Sequence, residues 1–220
     1  MKKALIISSL ALAFLLFFAQ QNTAVSGQSS AFVVSGCTFP IRQGWNLISV
    51  CANATNTSIV STLSSISGGY RYVMRWNATL QNFDIYSPRS QTNPFYDMYY
   101  NESYFVYYTQ NESTFVTITN VTANLTITGN ITSNFVVPMI FGWNFVGYPF
   151  RFGANITRFF NASQQRYLMK WDNTNQSFQI YSPRSLTNPF QYIDTGEGQL
   201  IYCQLLAGCN VTYNTTYLQS

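Results

Sequence analysis

Tyr86-Ser-Pro-Arg-Ser-Gln-Thr-Asn-Pro-Phe95 returns later in the chain as Tyr181-Ser-Pro-Arg-Ser-Leu-Thr-Asn-Pro-Phe190, with one substitution in ten positions. A repeated decamer makes the chain a tandem duplication, and a repeat must be found first because it decides the architecture. Working outward in the same register, Arg71-Tyr-Val-Met-Arg-Trp76 matches Arg166-Tyr-Leu-Met-Lys-Trp171, and Glu102 matches Glu197, all at a spacing of 95. Gly44-Trp-Asn46 matches Gly142-Trp-Asn144 at a spacing of 98, so the repeats differ in length in the stretch after Gly-Trp-Asn.

Each repeat reads as strands. Ser35 to Asn46 aligns with Ser133 to Asn144, proline for proline, and runs into the short apolar segments Trp45 to Val50 and Trp143 to Tyr148. Tyr70 to Trp76 and Asn82 to Tyr86 flank a polar turn and form a hairpin, repeated by Tyr167 to Trp171 and Ser177 to Tyr181. Tyr104 to Tyr108 with Thr114 to Thr122 reads as a second hairpin, with Gln199 to Cys203 and Asn210 to Tyr217 as its counterparts. One short helix is expected within Asn53 to Ser67, where Ile59, Val60, Leu63 and Ile66 follow helical spacing behind Thr57 and Ser58 as caps; Asn155 to Ser163 matches it weakly. Prolines 88, 94, 183 and 189 stop the sheets and stiffen the repeated loops, because proline supplies no ladder donor.

The expected fold class is all-β, two tandem sandwich- or barrel-like repeats with at most one short helix each. The expected organisation is a signal peptide at 1–27, a lead-in strand at 28–34, repeat 1 at 35–122, a join at 123–132 that continues to alternate like a strand, and repeat 2 at 133–220.

Lys2 and Lys3 followed by the apolar run from Ala4 to Ala19 have the layout of a secretory signal, with small residues at Val25-Ser-Gly27 suiting cleavage before Gln28. The run is shorter than the roughly 20 residues a membrane span needs. An uncleaved anchor is the alternative, and it is the only membrane association expected. Cys37, Cys51, Cys203 and Cys209 are an even number and suit two disulfides in an exported chain. Of three pairings, the local one, Cys37 with Cys51 and Cys203 with Cys209, is expected. Without a histidine, a zinc site would need all four sulfurs or a carboxylate, so no metal and no cofactor is expected.

Charged residues make up 8% of the chain, too few and too dispersed for nucleic-acid binding. With seven Asp and Glu in all, acid is expected to perturb folding little. Solubility must come from neutral polar groups or from attached sugar. Acceptor motifs for N-glycosylation stand at Asn53, Asn56, Asn77, Asn101, Asn111, Asn120, Asn124, Asn130, Asn155, Asn161, Asn175, Asn210 and Asn214. Random placement of this chain's asparagine, serine and threonine would give about 4 such motifs, so the excess points to a glycosylated exterior.

Catalytic readings are weak. Asp194-Thr-Gly196 resembles the aspartic-protease tripeptide, but the second carboxylate that chemistry shares a proton with is absent from the equivalent stretch, Tyr99-Tyr100-Asn101. A turn is the expected role. Glu102 and Glu197 would form a glycosidase pair only if both entered one cleft about 5 to 10 Å wide; an Arg–Glu pair inside each repeat, drawing on Arg71, Arg89, Arg166 and Arg184, is the simpler expectation. The loops could present Tyr86, Arg89, Asn93, Tyr181, Arg184 and Asn188 to a sugar, but residues of this kind also serve to lock such a loop. No enzyme activity is expected.

Gly44-Trp-Asn-Leu47, the Tyr72-Val-Met-Arg-Trp76 and Phe83-Asp-Ile-Tyr-Ser-Pro88 strands and the closing Gly196-Glu-Gly-Gln-Leu-Ile-Tyr202 resemble the β repeats with a GWNL start and a GxGYW-type end found in secreted and cell-surface proteins of archaea and bacteria. The chain departs from that pattern at Gln199-Leu200 and Tyr104-Phe105, where the family has Tyr-Trp. Its charge-poor, acceptor-dense style also resembles exported glycoproteins of thermoacidophilic archaea, pilus-like thread subunits among them. The resemblance implies surface location and structural or adhesive work. The function expected is that of a filament or surface-layer-associated subunit assembling with itself or other surface proteins by strand addition, with Gln28 to Val34 as donor. An extracellular carbohydrate-binding module is the alternative, and an extracellular hydrolase the second.

Overall fold

The computed structural model describes residues 36–109, 122–131 and 134–214. The leader, the lead-in Gln28 to Val34 and the acceptors Asn111 and Asn120 lie outside the described residues. In the first half, β1 (Gly36–Arg42) and β2 (Gly44–Ser49) are separated by a bend at Gly44, whose φ of 98° requires glycine. β3 (Tyr70–Asn77) and β4 (Asn82–Tyr86) form the expected hairpin, and β5 (Ser103–Tyr108) lies between β2 and β3 in a four-stranded antiparallel sheet ordered β2-β5-β3-β4. The helix shrinks to α1 (Ile59–Thr62), capped by the Ser58 hydroxyl accepting from Ser61 N, followed by a 3-10 turn at Ser64–Ile66.

The last strand of this half is β6 (Thr122–Thr128), within the stretch expected to be a join, and it pairs antiparallel with β1 from Gly36↔Thr128 to Arg42↔Thr122. The boundary expected at 122/123 therefore falls inside a strand. β1 turns Cys37, Phe39 and Ile41 inward, and β6 turns Leu125 and Ile127 to meet them. This ribbon packs over the inner face of the four-stranded sheet, on Ile48, Val73, Tyr104, Val106 and Tyr108, making a small sandwich.

The second half repeats the plan. β7 (Asn134–Met139) and β8 (Gly142–Val146) follow the β1–β2 bend, and β9 (Ala154–Asn155) leads into a 3-10 turn capped by Asn155. β10 (Gln165–Asp172), β11 (Ser177–Tyr181) and β13 (Gln199–Cys203) complete the sheet ordered β11-β10-β13-β8, and β12 (Tyr192–Ile193) pairs with β9. β14 (Cys209–Asn214) pairs with β7 and closes the second core. The second hairpin expected from the sequence is thereby corrected. β13 already has β8 and β10 on its two edges, so β14 has no ladder position beside it and crosses to β7 in the other layer.

Both disulfides take the local pairing, Cys37–Cys51 and Cys203–Cys209. They close loops of 14 and 6 residues of separation, for which the chain-entropy model gives about 3 and about 2 kcal/mol respectively. Replacing Cys37 and Cys51 by serine is therefore expected to cost more than replacing Cys203 and Cys209. Thermal melts of the two double variants, with and without reductant, check the order.

The outer faces of the two four-stranded sheets meet in a third apolar cluster, where Leu47 and Phe105 of one half bury against Phe145 and Leu200 of the other. A clasp stands at each end of this seam. Gln176 lies in the turn of the β10–β11 hairpin; its Oε1 accepts from Trp45 N at 2.8 Å and its Nε2 donates to Trp45 O at 3.1 Å, while Trp171 Nε1 donates to the same carbonyl at 2.9 Å. Gln81 and Trp76 treat Trp143 identically, at 3.2, 3.1 and 2.8 Å. Both glutamines adopt a left-handed backbone, φ 50° and 49°, a conformation uncommon for a residue with a Cβ and one that a specific side-chain role can sustain.

Gln176→Ala is expected to cost about 1 to 2 kcal/mol, the range for loss of hydrogen bonds at a part-buried site. Combined with Trp171→Phe, its loss should depart from additivity by at least about 0.5 kcal/mol, because both side chains share one carbonyl. Urea unfolding of the four-member cycle measures this.

Backbone and hydroxyl bonds also cross the seam. Ser49 N donates to Gly196 O at 2.9 Å, Gly198 N to Leu47 O at 3.0 Å, and Gly147 N to Asn101 O at 3.0 Å. The buried Ser103 hydroxyl donates to Val146 O at 2.5 Å and accepts from Gln199 N at 3.1 Å; the buried Ser49 hydroxyl donates to Tyr148 O at 2.9 Å and accepts from Tyr148 N at 2.5 Å. In the repeat alignment Ser49 corresponds to Gly147 and Ser103 to Gly198, and a Cβ on Gly198 would come within 2.9 Å of Ser103 Oγ. The halves are thus interlocked rather than strung side by side.

Candidate functional site

The repeated decamer forms the same loop twice. After β4, Asn93 turns back so that its Oδ1 accepts from Ser87 N at 2.9 Å and its Nδ2 donates to Ser87 O at 3.2 Å; Ser90 Oγ donates to Thr92 O at 2.6 Å. After β11, Asn188 holds Ser182 at 2.8 and 3.1 Å, and Ser185 holds Thr187 at 2.6 Å. The ends are pinned by buried rings, Tyr86 against Phe95 and Tyr181 against Phe190, with centroids 6.2 and 6.3 Å apart. Of the six loop residues offered as ligand contacts, Tyr86, Asn93, Tyr181 and Asn188 are thus occupied in building the loop. Arg89 and Arg184 stand on its exposed outer side, beside Gln91 and Leu186.

Beside the first loop is a cleft of about 410 Å³, lined by Tyr70, Arg71, Tyr72, Ser87 and Arg89 among others. It gathers two guanidinium groups and an exposed tyrosine ring, and Arg166, Arg184 and Tyr167 occupy the matching positions of the second repeat. Such a surface suits a ligand carrying a carboxylate or sulfate on a flat apolar frame.

The ion pairing differs from the expectation. The cations at the closing phenylalanines are Arg75, with Cζ 4.6 Å from the Phe95 ring centroid, and Lys170, with Nζ 5.1 Å from that of Phe190. Arg75 pairs with Asp84, its cross-strand neighbour, at 2.9 Å. At Glu197 the partner is Lys170, at 3.1 and 3.2 Å, rather than an arginine; the cross-strand neighbour of Lys170 is the neutral Gln179 where Arg75 has Asp84. Glu102 accepts from the Tyr104 hydroxyl at 2.7 Å. Each retained glutamate is therefore held by a side chain of its own half.

A second cleft, of about 310 Å³, lies where Arg75, Asp84 and Glu102 of the first half face Val137, Pro138 and Met139 of the second. In the mirror-image location Phe39 replaces Val137 and packs against Gly196, the counterpart of Asn101. Asp194-Thr-Gly196 is the expected turn, closed by Glu197 N donating to Asp194 O at 3.1 Å, with Gly196 at a φ of 78°. Among the described residues no three His, Cys, Asp or Glu gather to hold a metal ion.

Tyrosines dominate the buried electrostatics. Burial, and next the Glu102 carboxylate, raise the Tyr104 phenol above its ordinary value. Burial and then Asp194 raise Tyr148; burial and then Tyr148 raise Tyr213.

Every acceptor asparagine among the described residues is exposed or half-buried. The two buried asparagines, Asn46 and Asn144, carry no acceptor motif. Each pins its own bend instead, Asn46 Nδ2 donating to Arg42 O at 2.6 Å and Asn144 Nδ2 to Ile140 O at 2.8 Å. Several acceptors close an Asx turn within their own motif: Asn56, Asn155 and Asn161 each accept the backbone N–H two residues on, at 3.0 Å.

The clasping glutamines escaped the sequence reading, which saw only a polar turn. Their signal was present, since Gln81 and Gln176 are a matched pair at the same spacing of 95 within turns that share only Thr79 and Thr174 besides.

No known family model, curated protein or solved structure matches the chain.

Proposed function

We propose that this chain is an exported, N-glycosylated cell-surface protein that works by association, as a subunit of a filament or surface layer. The observation that carries the reading is the division of asparagines: among the described residues those in acceptor motifs are exposed or half-buried, and the buried ones, Asn46 and Asn144, lie outside such motifs. The two disulfides are compatible with an oxidising compartment. β4 and β11 end their sheets with one ladder edge unpaired by any described strand, which suits strand addition by a neighbour.

Electron microscopy of the native protein on its own cell surface, with intact mass on the same sample, tests this. Filaments or lattices built from a chain made heavier by sugar are expected; dispersed, unglycosylated chains would overturn it. The cleft of Arg71, Arg89 and Tyr72 favours one further reading, recognition of an acidic sugar. Retention on a sulfated or carboxylated polysaccharide, lost in the Arg71→Ala, Arg89→Ala double variant, would support that reading over assembly.

A further inference from the structure

The outward faces of the two four-stranded sheets are apolar up to their outer ends, where the bulge residues Arg71 and Arg166 stand beside Tyr72 and Tyr167, Arg166 Cζ 5.2 Å from the Tyr167 ring centroid. Along β3, β4 and β5, and their counterparts β10, β11 and β13, the regularly paired outward positions are aromatic, Ile, Leu or Met except Ser103, whose hydroxyl is spent in the seam, and none is an acceptor asparagine. The seam covers only part of this surface. Cross-strand neighbours Trp45, Tyr107 and Tyr72 form a row of rings with centroids 5.1 and 6.3 Å apart, repeated by Trp143, Tyr202 and Tyr167 at 5.2 and 6.3 Å. Each row begins in the seam and runs out of it. Beyond it Tyr72 is 44% exposed, Ile85 51% and Ile180 49%, while Phe178, whose ring touches Phe105 of the other half, stands half-open at the seam's edge.

An apolar surface with arginine only at its rim, left open by the described residues of a protein so rich in acceptor motifs, has the composition of a contact region, since attached sugar would block it. An isoleucine on an edge strand is the opposite of the lysine by which edges are usually protected from pairing. The surface is also continuous with an established interface. Inside the chain, the face of the first half already buries itself against the face of the second.

The geometry points to a second copy of this chain as the occupant: the open part of the first half's face, around Tyr72 and Ile85, docks on the open part of the second half's face, around Ile180 and Phe178, in the next molecule. The contact repeats between molecules the pairing made within each. Because the two patches are distinct and lie on different halves, the contact is heterologous, each subunit has two neighbours, and assembly continues in one dimension unless the rotation closes a ring. This inference rests on the assembly reading above and names its contact.

The test uses the purified glycosylated protein and its Ile85→Lys and Ile180→Lys variants. Sedimentation and negative-stain microscopy are run over a wide concentration range, with thermal melts to establish folding. The wild type is expected to form a concentration-dependent series of polymers. Each variant alone should remain a single chain, having lost one of the two complementary patches. An equimolar mixture of the variants should yield pairs and nothing larger, because one intact patch survives on each. Tyr72→Glu and Tyr167→Glu, away from the edge strands, repeat the test should a lysine variant melt early. Polymers that persist in the single variants would overturn the sheet-face contact while leaving filaments on cells, and so the assembly reading, intact. A wild type that stays monomeric on the cell surface and in solution, or that binds only polysaccharide, would overturn both.

Discussion

Between pH 10 and pH 12 the protein is expected to unfold cooperatively. Tyr104, Tyr148 and Tyr213 are buried, and burial is the largest cause of the raised phenol pKa at each. A phenol in the unfolded chain ionises near pH 10. The folded values lie above the unfolded one, so the stabilisation is fully present below about pH 10 and is lost as pH rises toward the folded values. Above pH 10 the folded state binds more protons than the unfolded state, and stability falls by up to about 1.4 kcal/mol per such tyrosine per pH unit. The losses at the three tyrosines run in the same direction and add, and they act on a total stability of only about 5 to 15 kcal/mol for an ordinary domain. Far-ultraviolet circular dichroism against pH, with tyrosinate absorbance at the same points, checks it: ionisation and loss of structure should coincide. Tyrosinate appearing near pH 10 with the fold intact would contradict it. On the acid side the half-buried Asp172 carboxyl is held below its ordinary value, chiefly by the Asn175 backbone N–H. Its contribution is present above the unfolded pKa and lost as pH falls through the folded one, so only a shallow acid decline is expected.

Gly147→Ala is expected to destabilise the protein by about 4 kcal/mol, at the upper end for a single added methyl group. A Cβ there would lie 2.5 Å from Tyr100 O, 2.8 Å from Glu102 N and 2.9 Å from Asn101 C. All three are backbone atoms, so no side chain can swing away. The opposing turn, Tyr100 to Glu102, is tied to this half by Gly147 N donating to Asn101 O and, just beyond it, by Ser103 Oγ donating to Val146 O. Moving it would part the halves. Gly68→Ala is the control: its φ is 78°, yet a Cβ meets nothing within 4 Å, so it should cost about 1 kcal/mol, the left-handed penalty alone. Urea midpoints of the two variants separate crowding at the seam from backbone strain.

The strands were legible because their side chains alternate: Cys37, Phe39 and Ile41 face inward between Thr38 and Pro40, and the Met-x-Trp strand recurs unchanged in its partner. The loop lock was legible in kind, since Asn and Ser between prolines bond their own backbone. The layer change after β5 was not. Asn210 is opposite Pro138 and Asn124 is opposite Pro40, a spacing of 86 where the sequence alignment runs at 95. The first repeat makes the crossing with nine more residues than the disulfide-closed turn from Cys203 to Cys209, and identity cannot follow a register through an insertion. Which faces meet was equally hidden: both faces of the four-stranded sheets are apolar, one turned to each sandwich core and one to the seam, so alternation alone does not reveal the second burial.

The serine-to-glycine contacts at the centre of the seam decide what the halves would do if cut apart. Two identical first halves brought together would set Ser103 against Ser103 where one hydroxyl fits, and two second halves would set Gly198 against Gly198 and leave Val146 O and Gln199 N without the hydroxyl that now serves both. Neither fragment matches itself, and each matches the other. Separately produced halves would therefore reconstitute as a mixed pair and not as like pairs, so the covalent connection between them sets their effective concentration rather than their choice of mate.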